Sequence, residues 1–240
     1  MSEREISVDF NRMHDPKPII ELIVDNLRKT KNPLGLSNNK VNTWWKDVGI
    51  KREGKTILFT GLLYQMVPYI ENLTLQLEKY ETSTLKKYIG AARYIPKFMF
   101  RMLYGKPISE KVRIRFDNII KNIAKMLMKT GVDFCYKPEV DGYSGILLYD
   151  LGDIDEFVKY VKHIVDTLRR HDVKTIITID PHTTYALKVL VPEYLNEDFD
   201  VRTYFEVLKE QGVKAESSLK VTIHDPCFYG RYLKLSDVVR

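Results

Sequence analysis

The stretch of sequence best equipped for chemistry lies near the C-terminus, where His224, Asp225 and Cys227 stand close together. Residues 221–223 before them (Val-Thr-Ile) predict a buried strand, and Pro226 favours a tight loop after it. A thiol held at the tip of such a loop suits a metal ligand or a reactive group. From the residues alone, the simpler interpretation of Cys227 is a small buried hydrophobic side chain, because no second cysteine lies nearby.

Asp180 and His182 form a second candidate pair, directly after a β-branched run that predicts a strand at residues 174–179. Either side chain could bind a metal, but two ligands two residues apart need partners from elsewhere. The simpler interpretation of His182 is a hydrogen bond to loop backbone. For His224 and Asp225 it is a cap of the following turn, in which the carboxylate fixes the tautomer of the imidazole. A catalytic triad of the thiol, one histidine and Asp180 is a further interpretation, although no nucleophile-elbow sequence is present.

Strand patterns alternate with helix patterns along the chain, which predicts an α/β fold with a mostly parallel sheet flanked by helices. Strands are predicted at residues 55–60, 132–135, 174–179 and 221–223, and the main helices at 16–30, 68–80, 110–130, 153–170 and 203–211. In parallel sheets, ligands bind at the carboxyl ends of the strands. Four loops are therefore expected at one edge: 61–62, 143–144, 180–182 and 224–227.

Two other stretches are candidates for docking. Trp44 and Trp45 most simply pin an N-terminal helical arm to the body of the domain by burying a large apolar area; the alternative is a patch that binds a partner. Residues 91–104 are both basic and apolar, with Arg93 and Arg101 among the basic side chains. They either lie on a membrane surface or a partner subunit, or form a helix packed on the sheet.

Composition excludes several classes of protein. With 240 residues, of which 44% are hydrophobic and 29% charged, the chain is typical of a soluble globular protein. It has no apolar run long enough for a membrane span, and its N-terminus does not resemble a signal peptide, so a cytoplasmic location is expected. Two cysteines provide neither a disulfide framework nor a complete four-cysteine metal site. A net charge of +6 is too mild to favour nucleic acid as a partner.

Four segments in order resemble the cysteine-rich Cys-Cys-Gly family, the iron–sulfur subunits related to heterodisulfide reductase and to the iron–sulfur subunit of glycolate oxidase. The resemblance covers nearly the whole chain, and its most specific part is His-Asp-Pro-Cys at 224–227. The segments are Leu58-Phe59-Thr60-Gly61, Leu148-Tyr149-Asp150-Leu151-Gly152, Asp180-Pro181-His182, and His224-Asp225-Pro226-Cys227 with Gly230-Arg231. The resemblance implies a Rossmann-like Cys-Cys-Gly domain behind an N-terminal helical arm.

Members of this family usually carry two copies of a motif whose cysteines bind an iron–sulfur cluster. In the first copy of this chain other residues stand at the cysteine positions: Leu62, then Tyr143-Ser144-Gly145, then Asp180 and Thr183. Of the second copy only its first cysteine, Cys227, is present, and the later ones would lie beyond Arg240. The resemblance therefore implies that Cys227 is a metal ligand, and that a [4Fe–4S] cluster is bound only if residues outside this chain complete it.

The leading hypothesis is a subunit or fragment of a heterodisulfide-reductase-like iron–sulfur electron-transfer oxidoreductase, which is not catalytic alone. Its expected partners are other subunits of the complex, through which the cytoplasmic chain would also associate with a membrane. The alternatives are a non-catalytic docking subunit, and a small-molecule enzyme that uses Asp180, His182 and Cys227. The predicted domains are an arm at 1–52, a degenerate Cys-Cys-Gly-type domain at 53–216 with a helical insertion at about 83–130, and the start of a second such domain at 217–240.

Overall fold

The computed structural model describes residues 17–82, 106–214, 216 and 218–239. Residues 91–104, the proposed docking stretch, lie outside these ranges, and so do residues 83–105 of the predicted helical insertion.

A parallel sheet of three strands, in the order β1-β2-β3, forms the centre of the fold: β1 at Thr56–Phe59, β2 at Thr175–Thr178 and β3 at Asp200–Thr203. The last residues of the strands, Phe59, Thr178 and Thr203, are paired in register, so the strands end together at one edge. Cys135 extends the sheet beyond β1 through an isolated parallel bridge to Ile57. The predicted α/β fold with a parallel sheet is thus confirmed.

The strand predictions contain two errors and one overestimate. β3 was not predicted because Val201 is its only apolar residue, although Val201 and Thr203 are both buried. Its two other residues, Asp200 and Arg202, form an ion pair at 2.9 Å. Residues 221–223 do not form the predicted buried strand, since they belong to no strand and are exposed. The β-branched residues 221–223 favour an extended backbone, but a strand also needs a neighbouring strand to pair with. The strand expected at 132–135 is reduced to the single bridge at Cys135.

Most of the predicted helices are present. Before β2 the structure has α1 (Lys17–Thr30), α2 (Asn38–Val41), a 3₁₀ turn (Trp44–Asp47), α3 (Leu63–Thr82), α4 (Glu110–Lys129), α5 (Ile146–Asp150) and α6 (Ile154–Arg170). After β2 it has α7 (Pro181–Tyr185), a π-helical turn (Ala186–Leu190), α8 (Val191–Leu195), α9 (Tyr204–Glu210), a second π-helical turn (Phe228–Tyr232) and α10 (Ser236–Val239). α3 begins before Pro68, which lies inside it rather than at its start.

Side-chain caps fix where several helices begin. The Ser109 hydroxyl accepts a hydrogen bond from a backbone N–H of α4, and the Asp153 carboxylate does the same for α6. Thr203 and Glu206 form a reciprocal capping box at the start of α9. Each cap satisfies a backbone donor that has no partner within its helix. At the start of α7 the capping residue is Asp180, which places this candidate site residue at the end of β2.

Hydrophobic cores cover both faces of the sheet because successive residues of a strand point to opposite sides. Ile57 and Phe59 of β1 face one core, which also contains the apolar sides of α1 and α6. Leu58 faces the other core, with the apolar side of α4 and Trp44. Trp44 is 1% exposed, so it pins the arm to the domain as predicted and is not available to a partner.

Candidate functional site

Three of the four predicted loops contact one another at the carboxyl edge of the sheet. A Cβ atom placed on Gly61, after β1, would lie 1.9 Å from Thr183 Oγ1 and 2.8 Å from Asp180 Oδ2, so the two loops touch. The His182 ring contacts the Phe228 ring at 4.8 Å between centroids, which brings the C-terminal segment to the same edge. The loops after β1 and β2 and the Cys227 loop therefore gather where the sequence placed them.

The Tyr143 loop belongs to the same edge. Burial raises the pKa of Tyr143, and the nearby carboxylate of Asp180 raises it further. Its hydroxyl accepts a hydrogen bond from the backbone N–H of Leu147 at 3.0 Å, at the start of α5. Tyr143 is thus a neutral phenol with a structural role at neutral pH.

Asp180 is a buried carboxylate with one satisfied and one unsatisfied oxygen. Its Oδ1 accepts a hydrogen bond from the Thr183 backbone N–H at 2.9 Å, whereas Oδ2 is buried and has no hydrogen-bond partner among the residues that the structure describes. Burial raises the pKa of Asp180, while hydrogen bonds from Thr183 act in the opposite direction. This carboxyl group is a helix cap that holds its proton more tightly than an exposed aspartate.

His182 is half-exposed and lies beside Asp180 without bonding to it. The distance from His182 Nδ1 to Asp180 Oδ1 is 4.0 Å, too long for a hydrogen bond. Nδ1 is buried and has no partner within the described ranges, so it does not make the expected hydrogen bond to loop backbone. The ring instead packs edge-on against Phe228.

The Cys227 loop differs from its sequence-based prediction. Cys227 is exposed, so the interpretation of a small buried side chain is wrong, and it precedes a π-helical turn instead of following a strand. His224 is exposed as well, and Asp225 is half-buried. The loop folds tightly, since a Cβ atom on Gly230 would lie 2.7 Å from the Asp225 Cβ. The other cysteine, Cys135, is fully buried in the core, as predicted.

Aromatic side chains after Cys227 hold the C-terminal segment on the sheet edge. Phe228 lies between the rings of His182 and Tyr185, with centroids 4.8 and 5.0 Å away. Tyr229 packs perpendicular to Phe205 at 5.0 Å. Burial, and then the charge of Asp180, raise the pKa of Tyr229. The residue after the exposed thiol is therefore anchored, although the thiol itself is accessible.

Buried side chains occupy the positions that the resemblance aligns with the first set of cluster cysteines. All of them are buried: Leu62, Tyr143, Ser144, Asp180 and Thr183. Leu62 adopts a left-handed backbone (φ +59°) that is uncommon for a leucine, and its side chain packs in the core. In the described parts of the chain, no group of three or more His, Cys, Asp and Glu side chains is placed to hold a metal. These residues do not fit a complete cluster.

Asp141 is the central residue of this edge that the sequence did not reveal. Its Oδ1 accepts the Thr60 backbone N–H at 2.8 Å, and its Oδ2 accepts the Thr60 and Tyr136 hydroxyls at 2.6 Å each. Gln65 Nε2 donates to Thr60 Oγ1, and the Tyr136 oxygen lies 2.8 Å from Asn42 Oδ1. The network ties the arm to the end of β1. Its only sequence signal is an aspartate beside glycine in a loop, which is common in turns.

The Asp141 network makes folding stability depend on pH. Burial raises the pKa of Asp141 to about 6, against hydrogen bonds from Thr60 and Tyr136. In the unfolded chain the group ionises near pH 3.9, so raising the pH from about 4 to about 6 favours the unfolded state. We expect the free energy of unfolding to fall by about 2 kcal/mol over this range from this group.

Urea unfolding of the wild type and of Asp141→Asn at a series of pH values measures this contribution. Asparagine does not titrate, so the stability of the variant lacks this fall, and the other carboxylates cancel in the difference between the two curves. A difference that stays constant between pH 4 and pH 6 would contradict the buried, raised pKa.

A cleft of about 440 Å³ lies away from these residues, at the amino edge of the sheet. It is lined in part by Lys55 and Asp172, which form an ion pair across it at 2.8 Å. Because basic and acidic side chains both line its wall, the cleft has no single-sign character that would recognise a charged ligand. The carboxyl edge therefore remains the candidate site.

Curated proteins with iron–sulfur names are similar to about half of the chain. It is 31% identical over 129 residues to a probable membrane-anchored ferredoxin of Chromohalobacter salexigens. It is 29% identical over 140 residues to the probable iron-sulfur-binding oxidoreductase FadF of Bacillus subtilis. It is also 30% identical over 128 residues to one subunit of the dihydromethanophenazine:CoB–CoM heterodisulfide reductase of Methanosarcina mazei.

These matches cover 50%, 55% and 49% of this chain but only 19%, 18% and 31% of the respective relatives. The chain thus spans between about a fifth and a third of the curated relatives it matches. No family model matches the chain, and no solved structure shows significant similarity to it. Within the described ranges, no helix is long and apolar enough to cross a membrane.

Proposed function

We propose that this chain is a subunit or fragment of a heterodisulfide-reductase-like iron–sulfur electron-transfer oxidoreductase of the Cys-Cys-Gly family. The observation that carries the proposal is the exposed Cys227 in its His-Asp-Pro-Cys loop, in a chain similar to iron–sulfur proteins. An exposed thiol can meet ligands from another polypeptide, whereas the buried Cys135 cannot. Cys227 would supply one ligand of a cluster whose other ligands lie outside this chain.

In this proposal residues 53–216 are a scaffold derived from a cluster-binding domain, and residues 217–240 begin a second domain. At the aligned positions Leu62 and Thr183 are buried and Tyr143 holds its proton, so these three residues would not bind a cluster. The anchoring of Phe228 on His182 would then fix Cys227 relative to the scaffold. Other subunits of the complex are the partners, and any membrane association comes through them.

An iron–sulfur cluster of the four-iron type needs four thiolates, and one accessible cysteine cannot supply them. When such a cluster is present it provides one-electron transfer. The part of this chain is to present the Cys227 thiolate from an anchored loop, with Asp180 and His182 as edge residues that support the loop rather than bind metal.

The first test is the metal content of the chain purified alone after anaerobic expression. We expect a colourless protein with far less than one equivalent of iron, because a single thiolate does not hold a cluster. A brown protein with stoichiometric iron and sulfide would overturn the proposal that outside residues complete the site.

The second test uses the complex purified from the cells that naturally produce this chain. We expect Cys227→Ala to abolish the visible absorption of the cluster at this site, because a thiolate ligand is lost. Cys135→Ala is the matched control, since it also removes a thiol but one that is fully buried. Equal loss of iron in both variants, or in neither, would contradict the role of Cys227.

A further inference from the structure

The solvent-facing side of α4 carries charge of a single sign. Residues three or four positions apart lie above one another on a helix. Exposed residues of α4 with this spacing form one row, which we call the basic stripe: Lys111, Arg115, Asn118, Asn122, Lys125 and Lys129. Four of the six are basic and none is acidic. At 1.5 Å per residue the stripe runs about 27 Å along the helix.

The two acidic side chains of α4 do not neutralise the stripe. Arg113 holds both, because its guanidinium contacts Glu110 and lies 2.8 Å from the Asp117 carboxylate. Asp47, in the 3₁₀ turn beside α4, forms its ion pair with Lys121 at 2.7 Å and not with the stripe. Among the residues that the structure describes, none forms an ion pair with a basic residue of the stripe.

A helix face that only meets water normally mixes both signs of charge, and α6 provides the comparison. The same spacing on α6 gives exposed side chains of both signs: Asp155, Lys159, Lys162, Asp166 and Arg169. Opposite charges at these spacings support a helix. Exposure to water therefore accounts for the mixed stripe of α6 but not for the single sign of the stripe on α4.

The arrangement of the basic stripe also works against the stability of α4. Lys111 and Arg115 are like charges four residues apart, and so are Lys125 and Lys129, which repel each other on a helix. Lys111 also lies in the first turn, where the helix dipole disfavours a positive charge. These repulsions destabilise the isolated helix, whereas a bound acidic surface would remove them.

We propose that the basic stripe of α4 docks an acidic face of another protein. That this protein is a subunit of an electron-transfer complex rests on the proposed function, whereas the acidic character of its face rests on the stripe alone. Complementary charge across an interface speeds association and rejects wrong partners. The basic residues stand in two pairs, with about 15 Å of helix between Arg115 and Lys125. The docking face therefore has two carboxylate clusters at this separation, with neutral polar groups opposite Asn118 and Asn122.

A membrane and nucleic acid fit the stripe less well. A helix that binds a bilayer buries its apolar face in the lipid, but the apolar face of α4, with Ile120 and Leu127, lies in the core. The large apolar side chains that α4 exposes are Ile114 and Met126, one on each flank of the stripe. Nucleic acid presents an unbroken line of phosphates, which does not match a neutral gap of about 15 Å.

The chain itself provides no good occupant in the part of its sequence considered. Residues 83–105, between α3 and α4, include basic side chains and no acidic one. Residues 1–16 are more acidic than basic, but the helix after them, α1, packs in the core on the opposite face of the sheet from α4. A second copy would approach with the same net charge of +6, which opposes association.

Carbodiimide cross-linking of the complex purified from its native cells tests the contact directly, because the reagent joins a lysine amine only to a carboxylate that touches it. We expect Lys111, Lys125 and Lys129 to be joined to aspartates or glutamates of another polypeptide. The exposed Lys162 of α6 is the control and should not be joined to that polypeptide.

Three outcomes of the cross-linking overturn the proposal. One is a complex in which the stripe lysines are not joined to another polypeptide. The second is a stripe joined to carboxylates of its own polypeptide, because the chain would then cover the stripe itself. The third is a control lysine that is joined to the partner as often as the stripe lysines are.

Charge-reversal variants give a matched comparison, with the partner polypeptides taken from the same complex. Lys111→Glu/Arg115→Glu reverses one end of the stripe, and Lys162→Glu/Lys214→Glu makes the same change of net charge on exposed residues elsewhere. We expect both variants to melt within about 3 °C of the wild type, because exposed side chains contribute little to stability. Only the first should raise the dissociation constant, by about 10-fold or more at low salt. Equal effects of both variants overturn the proposal.

Lipid vesicles and DNA provide the remaining arms of the test. The chain is mixed with vesicles of phosphatidylcholine containing about 30% phosphatidylserine, an anionic lipid, and separately with a short DNA duplex. We expect no binding to either at physiological salt that Lys111→Glu/Arg115→Glu weakens. Binding to vesicles or DNA that this variant abolishes overturns the assignment of the stripe to an acidic protein.

The outcomes also separate this inference from the proposed function. Docking through the stripe in a complex that holds no cluster supports the inference and contradicts the iron–sulfur role. A complex with a cluster bound to Cys227 whose subunits leave the stripe without contact overturns the inference and keeps the iron–sulfur role.

Discussion

Gly61→Ala is expected to lower the free energy of unfolding by about 3 kcal/mol or more. Gly61 has φ +65°, and its Cβ would stand 1.9 Å from Thr183 Oγ1 and 2.8 Å from Asp180 Oδ2. The left-handed backbone costs about 1–2 kcal/mol with a side chain present, and overpacking adds about 1–3 kcal/mol. The shift in the urea midpoint, or a drop of roughly 10 °C in melting temperature, measures the effect.

Gly152→Ala is the matched control for this substitution. Gly152 has φ +81°, but a Cβ placed there meets no atom within 4 Å, so only the backbone cost of about 1 kcal/mol applies. Adding Thr183→Ala to Gly61→Ala removes the clashing hydroxyl and should restore part of the stability. If Gly61→Ala and Gly152→Ala cost the same, the close approach of the two loops is not present in solution.

Trp44→Ala is expected to cost about 3–5 kcal/mol, the range for removing a large aromatic side chain from a core. Trp44 is 1% exposed and packs on the Tyr136 ring at 4.8 Å between centroids. Tyr136 in turn bonds to Asp141, so the loss would also loosen the buried network that holds the arm to β1. Urea unfolding, followed by tyrosine fluorescence or circular dichroism, measures the change.

Trp45→Ala provides the comparison within the same turn. Trp45 is only partly buried, donates a hydrogen bond to the Asn42 carbonyl at 3.1 Å and contacts the Arg52 guanidinium at 4.9 Å from its ring. We expect it to cost about 1–2 kcal/mol, because less apolar area is lost. A cost for Trp44→Ala as small as that for Trp45→Ala would show that the arm is not pinned by Trp44.

The sequence predicted the elements whose pattern is strong and local. β1 and β2 are apolar runs beside glycine or charged residues, and α6 has apolar residues on one face for its whole length. Such patterns arise because buried positions are apolar, and the spacing of apolar residues can be read from the sequence. In β3 this signal is weak, because Val201 is the only apolar side chain among its four residues.

The candidate site was predicted in part. That the loops after β1 and β2 share one edge follows from the parallel order of the strands. The C-terminal segment reaches that edge through the contact of Phe228 with His182 and not as a strand. The partners of each side chain did not follow, because they come from residues distant in sequence. Asp141 bonds to Thr60 across 81 positions, and no local pattern marks that contact. Nor does any local pattern indicate that Asp180 Oδ2 is buried without a partner among the described residues.

By itself, therefore, the sequence determined the parallel α/β layout and the candidate residues, since both depend on residue type and short-range periodicity. Only the tertiary structure decided which residues are buried and which are exposed. Cys135 and Cys227 are chemically identical, yet one sits in the core beside β1 and the other on an exposed loop. Residues 221–223 have strand composition but no neighbouring strand within the described part of the chain. Burial and pairing are properties of the surroundings, which a single stretch of sequence does not specify.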